Sequence, residues 1–435
     1  SRESSTFAIP ETFWLISPLS SRPPDCKALA EHPLDTEMSL RKVAVMGSGK
    51  IGRACAFFLQ KSGSYDVTSL DASASNLEWV GNNLPEATTK QVSFDDANAM
   101  AKALQGHDAV LAAGPFWYNP LIAEVCKKVG AHYLDLTEDV AVTQKVKELA
   151  EGASTAFIPQ CGLAPGFITI TGYNLAKSFD KVHDLRLRVG ALPRFPSNAL
   201  KYNLTWSTSG LINEYIQPCE AIVGGELISV PPLEHLEHCT IEGLELESFN
   251  TSGGLGTLAE TLKGQIGTLD YKTLRFPGHR DILKLLLHDL GYAKDPEGLG
   301  KVFERSIPAT DQDQVAVFVS CTGDKDGRLL ERTYAKVLNH REIGGLNWTA
   351  IQITTASGIC SVLDLLMEGK LPQKGFVRNE EVDWDDFINN RFGANYADSV
   401  QTVTKTTKRT NTLNGTRGHA RPELLHVEKP KTMCA

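Results

Sequence analysis

Residues 42–52 read KVAVMGSGKIG, and this stretch decides the fold. A short apolar run ends at Met46 and a helical pattern follows, so the three glycines lie in a turn between a buried strand and a helix. Glycines there permit a tight turn and a close approach of pyrophosphate, while the N–H groups of the helix N-terminus bind phosphate oxygens. The predicted dinucleotide contacts are Gly47, Ser48, Gly49, Lys50, Ile51 and Gly52.

An acidic residue follows at the spacing that a dinucleotide site requires. Asp71 ends the second predicted strand, 19 residues beyond Gly52, where a carboxylate accepts hydrogen bonds from both ribose hydroxyls. The next residues, Ala72, Ser73 and Ala74, include no arginine that would bind a 2′-phosphate. We therefore expect NAD to be preferred over NADP.

The sequence from Lys42 to about residue 165 alternates short apolar runs with helical stretches, which predicts an α/β fold with a parallel sheet. The predicted strands are 42–46, 66–70, 109–113, 132–136 and 156–159, and the predicted helices are 51–62, 99–104, 120–129 and 142–151. Ligands of such sheets bind at the carboxyl ends of the strands. Gly114, Pro115 and Asp135 are therefore further predicted cofactor contacts.

After Gly166 the pattern changes to that of an α+β domain with a mixed sheet. Predicted strands at 315–322 and 329–338 flank Gly323–Gly327, which has the chemistry of a hairpin turn. The apolar segment 350–368 predicts a long helix that returns to the first domain. We expect a non-native or disordered extension over 1–37 with a natural start at Met38, a Rossmann domain over 38–165, a substrate and dimerisation domain over 166–350, a helical return over 351–398 and a disordered tail over 399–435.

Composition limits the class of partner. The 435 residues carry a net charge of -8, which disfavours nucleic acid and anionic membranes because both select a basic face. No apolar run is long enough to span a bilayer. The nine scattered cysteines, free of CxxC pairs, predict free thiols in a cytoplasmic protein. The histidines and cysteines show no metal-ligand spacing, so no metal is expected.

Four polar or glycine-rich stretches exceed what core packing requires: 160–166, 201–207, 250–254 and 272–279. The third is expected to form a nest of backbone N–H groups that binds an anion. The predicted substrate contacts are Tyr202, Asn203, Trp206, Thr251, Ser252 and Arg275.

The fourth stretch supplies the candidate acid–base group. Side chains alternate across a strand, so Thr273 and Arg275 are assigned to the face that lines the cleft. Arg275 would bind a substrate carboxylate. The Pro277–Gly278 turn would bring His279 to the mouth of the cleft, where it would either take the amine proton or hydrogen-bond the hydrolytic water. In the alternative interpretation Arg275 pairs with an acid in a structural network and His279 caps the turn. Asp139 and Tyr118 are then the next catalytic candidates.

Together these motifs resemble the saccharopine dehydrogenase family, and specifically its lysine 6-dehydrogenase branch. The resemblance covers about residues 42–396 and rests on VAVMGSGKIG, CGLAPGF, NALKYNLTWSTSGLINEY, FNTSGGLGTL and LDYKTLRFPGH. It implies an NAD(P)-binding domain interrupted by a substrate and dimerisation domain, hence a homodimer, and a C–N oxidoreductase whose amino-acid substrate lies between the domains.

Several functions remain open at this stage. The leading interpretation is oxidation of the lysine ε-amine to 2-aminoadipate 6-semialdehyde. The nearest rival is a saccharopine dehydrogenase, which must bind three carboxylates and so needs more cations in the cleft. The available cations are Arg194, Lys201, Lys272, Arg275 and Arg280. A carboxy-amine dehydrogenase that forms polyamines is a third enzyme, and a non-catalytic dinucleotide sensor is the alternative of another class.

Overall fold

Two β-sheets organise the residues that this computed structural model describes, Leu40–Ala397 and Lys405–Thr407. Strands and helices are numbered along the chain. The first sheet contains β1 (Arg41–Met46), β2 (Tyr65–Asp71), β3 (Thr88–Gln91), β4 (Ala109–Ala112), β5 (His132–Asp135), β6 (Ala156–Ile158) and β17 (Gly375–Phe376). Its helices are α1 (Lys50–Lys61), α2 (Ala74–Asn83), α3 (Ala97–Leu104), α4 (Asn119–Val129) and α5 (Val140–Ala150).

The first sheet is parallel throughout, in the order β17-β6-β5-β4-β1-β2-β3. Its central strands are buried on both faces, which explains their continuous apolar runs. The predicted α/β fold class is confirmed. The sequence missed β3 because TTKQ is polar and exposed, so it lacks the apolar signal of a buried strand.

The second sheet is mixed, as predicted. It contains β7 (Lys181–Pro193), β8 (Cys219–Val223), β9 (Glu226–Val230), β10 (Glu237–Ile241), β11 (Leu244–Asn250), β12 (Ile266–Arg275), β13 (Asp313–Lys325), β14 (Arg328–Asn339) and β18 (Lys405–Thr407). The path is β10-β11-β12-β7-β13-β14-β18, with β8 beside β12 and β9 beside β8. Only β7 and β12 pair in parallel among these strands of the described chain.

The predicted hairpin is confirmed, with a tighter turn than expected. Strands β13 and β14 pair up to Lys325 and Arg328, which leaves Asp326 and Gly327 as a two-residue turn. Both turn residues have positive φ, 50° and 72°. That geometry matches the right-handed twist of the flanking strands.

Helices cover the second sheet and return the chain to the first. They are α6 (Phe167–Lys177), α7 (Thr208–Ile216), α8 (Leu258–Leu262), α9 (His279–Lys284), α10 (Pro296–Ser306), α11 (Ala350–Met367) and α12 (Trp384–Asn389), and β15 (Arg341–Ile343) pairs with β16 (Leu346–Trp348). Helix α11 packs against α1 and β13, and β17 then pairs with β6. The sequence missed α6 because FITITGYNLAK is buried around most of its circumference and has no polar face.

Helix α11 corrects the expectation that no apolar run is long enough to span a bilayer. Its 18 residues have a mean hydropathy of 1.5, so by length and composition it is apolar enough to cross a membrane. Yet 83% of the helix is buried inside the protein, as expected of a core helix that joins two domains.

The predictions for the chain termini fall largely outside the described residues. These are the extension over 1–37, the start at Met38 and most of the tail over 399–435. Within that tail, β18 pairs with β14, so the prediction of a wholly disordered tail is wrong at Lys405–Thr407.

Candidate active site between the two sheets

The glycine turn after β1 has the geometry that a dinucleotide requires. Gly47 has φ 102°, and a Cβ there would lie 2.6 Å from the backbone nitrogen of Gly114. A Cβ on Gly52 would lie 1.7 Å from the carbonyl oxygen of Gly47, whereas a Cβ on Gly49 would meet nothing within 4 Å. Helix α1 starts at Lys50 without a side-chain cap, so its first N–H groups are available to phosphate oxygens.

Asp71 ends β2 and is built into this turn. Its carboxylate accepts hydrogen bonds from the backbone N–H of Ser48 (2.6 Å) and Ser73 (2.7 Å) and from the amide of Asn76 (3.2 Å). The hydroxyl of Ser48 is buried and has no partner. An unpaired hydroxyl beside open helix N–H groups fits a phosphate oxygen, so the residues present fit a dinucleotide.

The sequence missed a cation near this carboxylate. Arg53, one turn into α1, lies 4.5 Å from the ring centroid of Trp79 and donates to the carbonyl of Gly49. Burial lowers the pKa of Arg53, and the charge of Asp71 opposes this shift only in part. Lys50, by contrast, directs its ammonium to the carbonyl of Leu204 at 3.1 Å, so its side chain links the glycine turn to the second domain.

A cavity of about 190 Å³ lies between the glycine turn and the second sheet. Its dinucleotide side is formed by Ile51, Gly114, Pro115, Phe116 and Asn119. Its opposite side is formed by Gly190, Trp206, Glu214, Tyr271, Thr273 and Arg275, and Glu138 also lines it. Five residues predicted as cofactor or substrate contacts line this cavity: Ile51, Gly114, Pro115, Trp206 and Arg275.

Arg275 is buried in the cavity wall, at the end of β12. Its Nε donates to the hydroxyl of Tyr215 at 3.0 Å, and Nη1 donates to the carbonyl of Leu274 at 2.9 Å. Nη2 lies 3.9 Å from Oε2 of Glu214. The predicted alternation along β12 is correct, because Thr273 and Arg275 both face the cavity.

Two glutamates share the cavity with Arg275, and neither was predicted. Glu138 follows β5 and hydrogen-bonds to Glu214, which lies on α7. Burial raises the pKa of both carboxyls; the charge of Glu214 raises that of Glu138 further, whereas Arg275 acts to lower that of Glu214. A proton that the pair retains is therefore held preferentially by Glu138.

The comparisons with known proteins agree with this two-part construction. Residues 43–158 match the saccharopine dehydrogenase NADP binding domain, and residues 162–393 match the saccharopine dehydrogenase C-terminal domain. The chain belongs to the saccharopine dehydrogenase family.

The individual relatives of this chain share little sequence identity with it. Mitochondrial alpha-aminoadipic semialdehyde synthase of Rattus norvegicus is 19% identical over 291 residues, which cover 62% of this chain and 29% of that protein. Saccharopine dehydrogenase [NADP(+), L-glutamate-forming] of Schizosaccharomyces pombe is 20% identical over 201 residues, 45% of each chain. The chain thus spans less than half the length of either relative.

A solved structure supports the fold of this saccharopine dehydrogenase-family chain. Apo saccharopine dehydrogenase (L-Glu forming) from Saccharomyces cerevisiae superimposes with a TM-score of 0.70 and 15% identity. The superposition covers 85% of this chain and all of that one. It supports the arrangement of a Rossmann-like domain with a C-terminal domain.

The expected position of His279 is wrong. The imidazole is 1% exposed and does not line the cavity. Its Nδ1 lies 2.9 Å from the carbonyl oxygen of Leu200 and its Nε2 lies 3.1 Å from the hydroxyl of Tyr215. Burial and the nearby charge of Arg275 lower the pKa of His279 to about 3. A neutral, enclosed imidazole supports Tyr215 and does not reach a substrate.

The two alternative catalytic candidates, Asp139 and Tyr118, also do not line the cavity. Asp139 caps α5, accepting a hydrogen bond from the backbone N–H of Val142 at 2.8 Å. Tyr118 packs its ring against Phe94 and donates to Asp95 at 3.5 Å. The sequence analysis chose Asp139, whereas its neighbour Glu138 is the residue that reaches the cavity. The position of Glu138 just after the carboxyl end of β5 was the signal that could have identified it.

Asp135 is a further correction, because it is not open to a cofactor. Its carboxyl is fully buried and accepts hydrogen bonds from the hydroxyl of Tyr133 and from the backbone N–H groups of Thr137 and Gln160. Burial raises the pKa of Asp135 to about 6. Asp135 therefore holds the loop that carries Glu138.

The other predicted substrate residues form a layer behind the cavity wall. Tyr202 is fully buried and accepts a hydrogen bond from the indole of Trp206 at 3.0 Å. Asn203 and Thr251 are buried with unpaired oxygens, and neither lines the cavity. The backbone N–H of Ser252 donates to the carbonyl of Glu214 at 3.1 Å, so this N–H positions α7 and is not available to a substrate.

The predicted anion nest at 250–254 is instead a packing device. A Cβ on Gly253 would lie 2.3 Å from the carbonyl oxygen of Glu138, and a Cβ on Gly254 would lie 2.3 Å from the ring of Tyr271. The glycines are needed because two cavity residues approach the backbone this closely.

Proposed function

We propose that the chain oxidises the ε-amine of lysine, with NAD as the hydride acceptor, and releases 2-aminoadipate 6-semialdehyde and ammonium. In this reaction the ε-carbon loses a hydride, the amine nitrogen loses a proton and water replaces nitrogen at the resulting imine. The family membership and the dinucleotide-type turn support an NAD(P)-dependent oxidoreductase in lysine metabolism. The choice of lysine rests on the charges that line the cavity.

One cation, Arg275, lines the cavity in the described part of the chain. The other cations that the sequence offered are engaged elsewhere. Lys272 pairs with Glu237, Lys201 donates to the carbonyl of Pro277, Arg280 pairs with Asp281, and Arg194 is stacked on Phe195. A substrate with one carboxylate and cationic nitrogens matches one guanidinium and two glutamates better than a tricarboxylate does.

The residues of this cavity would divide three tasks. Arg275 would hold the substrate carboxylate, and the glutamate pair would bind cationic nitrogen. Phe116, Trp206 and Tyr271 would exclude water from the reacting carbon, which favours hydride transfer. The bound dinucleotide would supply the hydride-accepting ring.

NAD is proposed over NADP because Asp71 supplies a carboxylate where a 2′-phosphate would lie. Arg53 is the observation that opposes this choice, since its guanidinium lies near the same carboxylate. Its packing on Trp79 and its bond to Gly49 already occupy it. A homodimer and a cytoplasmic location remain predictions.

The second candidate function is saccharopine oxidation to glutamate and 2-aminoadipate 6-semialdehyde. It is favoured by the names of the relatives in yeasts and by the yeast structure that shares the fold. A non-catalytic dinucleotide sensor is disfavoured because it would not need a guanidinium and two carboxyls beside the dinucleotide turn.

Dinucleotide reduction by the purified full chain tests the proposal. Lysine and saccharopine are each supplied with NAD and with NADP, and the formation of reduced cofactor is followed by absorbance. Higher kcat/KM with lysine and NAD supports the proposal. Higher kcat/KM with saccharopine overturns it in favour of the second candidate, and no reduction with either substrate supports the sensor.

A further inference from the structure

We infer that Arg275, Glu214 and Glu138 form one recognition site for the head group of an α-amino acid, in which Arg275 binds the α-carboxylate and the two glutamates bind the α-ammonium. This inference rests on the proposed function and assigns the glutamates to a part of the substrate that does not react. It separates recognition of the amino acid from the chemistry at the far end of its side chain.

The spacing of opposite charges carries the assignment. Nη2 of Arg275 and Oε2 of Glu214 are 3.9 Å apart. In an α-amino acid only two bonds separate the ammonium nitrogen from the carboxylate carbon, a span of about 2.5 Å from standard bond lengths. Adjacent charges of opposite sign on the protein thus match adjacent charges of opposite sign on the ligand.

The ε-ammonium of lysine fits this spacing poorly. Six bonds separate it from the carboxylate carbon, roughly 7 Å in an extended chain built with standard bond lengths. With the carboxylate on Arg275, an extended side chain would carry the ε-carbon away from Glu214. The cavity wall of Gly114, Pro115 and Phe116 is the surface along which the side chain can then lie.

The charge balance is also consistent with a zwitterion. Arg275 carries one positive charge, and the glutamate pair carries one negative charge while it retains one proton. The empty cluster is therefore neutral, and it stays neutral when a zwitterion binds, so no unpaired charge is buried in either state.

Two further features indicate that the cavity is built for a ligand. Asn119 is 2% exposed, lines the cavity and has an amide oxygen without a partner. An unpaired buried acceptor in a cavity wall is costly unless a bound ligand supplies a donor. Gly210 leaves room for Glu138, because a Cβ there would lie 3.0 Å from Oε1 of Glu138.

Four ligands separate the two ends of lysine in a binding experiment. Norleucine keeps the head group and lacks the ε-amine, 6-aminohexanoate lacks the α-amine, and cadaverine lacks the carboxylate. Binding of each, and of lysine, to the full chain with NADH is measured by calorimetry. We expect norleucine to bind within about fivefold of lysine, and the other two to bind at least about tenfold more weakly, as expected for one lost charged hydrogen bond.

Variants then assign the effect to the glutamates. Glu214→Gln should weaken norleucine binding by about tenfold or more, whereas Glu138→Gln replaces the carboxyl that holds the proton and should weaken it less. Both variants should leave 6-aminohexanoate binding unchanged. Glu220→Gln is the matched control, because Glu220 is a partly buried glutamate outside the cavity lining. It should leave all four affinities unchanged.

The inference is overturned if wild-type protein binds 6-aminohexanoate as tightly as lysine, or if norleucine does not bind. Either result would place the glutamates at the ε-amine. The wild-type panel decides this even if a variant does not fold. Oxidation of saccharopine in place of lysine would reject the proposed function alone, because saccharopine retains the lysine-derived head group that norleucine represents.

Discussion

The backbone N–H of Ser48 donates a 2.6 Å hydrogen bond to Asp71, so the acid that ends β2 also fixes the glycine turn that follows β1. The two segments are 23 residues apart and meet because β1 and β2 are paired in parallel. One carboxylate therefore connects the phosphate-binding and ribose-binding parts of the predicted dinucleotide site.

Replacing Asp71 by Ser should weaken NAD binding by about 1–3 kcal/mol, the usual cost of removing a charged acceptor, and should raise the affinity for NADP relative to NAD. Calorimetric titration with both dinucleotides measures this. Asp66→Ser is the control, because Asp66 is an exposed carboxylate on the same strand. An unchanged ratio of the two affinities would show that Asp71 does not contact the ribose.

Replacing Arg275 by Lys should lower kcat/KM for lysine, mainly by raising KM, and the loss should correspond to roughly 1.5–3 kcal/mol of binding free energy. The reason is that an ammonium cannot keep the bonds to Tyr215 and Leu274 while it binds a carboxylate. The dissociation constant for NAD should not change. Arg194→Lys, on the exposed surface, provides the comparison. Wild-type kinetics in Arg275→Lys, combined with a lower melting temperature, would instead indicate a purely structural arginine.

His279→Gln should leave kcat of the folded protein within about twofold, and it should lower the free energy of unfolding by roughly 2–4 kcal/mol. The reason is that His279 is enclosed and bonded to Leu200 and Tyr215. Chemical denaturation and steady-state rates are measured together, with the exposed His238→Gln as the reference variant. A loss of kcat of about 10²-fold would restore His279 as a general base.

The stability difference between wild type and His279→Gln should shrink as pH falls below 6.5. The pKa of His279 is lowered to about 3 in the folded protein, so between pH 6.5 and 3 the unfolded state binds more protons. As pH falls through this range, the free energy of unfolding of wild type drops by about 1.4 kcal/mol per pH unit, and the variant does not undergo this drop. The opposite slope from Asp135 and Asp313, whose pKa values are raised to about 6, is common to both proteins. A difference independent of pH would mean that folding does not change the pKa of His279.

Gly253→Ala should lower both stability and kcat/KM, whereas Gly264→Ala should lower stability alone. Both glycines have positive φ, 84° and 74°, so alanine costs roughly 1 kcal/mol at each. Only at Gly253 does the new Cβ meet the carbonyl oxygen of Glu138. Thermal unfolding and kcat/KM are measured for both variants, and equal kinetics in the two would show that Glu138 tolerates displacement.

Sequence patterns that act over a few residues predicted most of the fold. The glycine turn, the buried parallel strands and the β13–β14 hairpin each depend on local backbone geometry or on apolar periodicity. All three were confirmed, the hairpin with a shorter turn than predicted. The polar strand β3 and the uniformly buried helix α6 lack those signals, and the sequence missed both.

The sequence by itself determined that a dinucleotide turn opens the chain's first sheet, that Arg275 faces a cleft and that a mixed sheet follows. Only the tertiary structure decided which acids join Arg275. Glu138 and Glu214 are far apart in sequence, one in the loop after β5 and the other on α7. No local pattern distinguishes them from exposed glutamates. Their role depends on burial and on the charge of each other and of Arg275, and these are properties of three-dimensional proximity. For the same reason His279, a plausible base by residue type, became a neutral core residue once its surroundings were known.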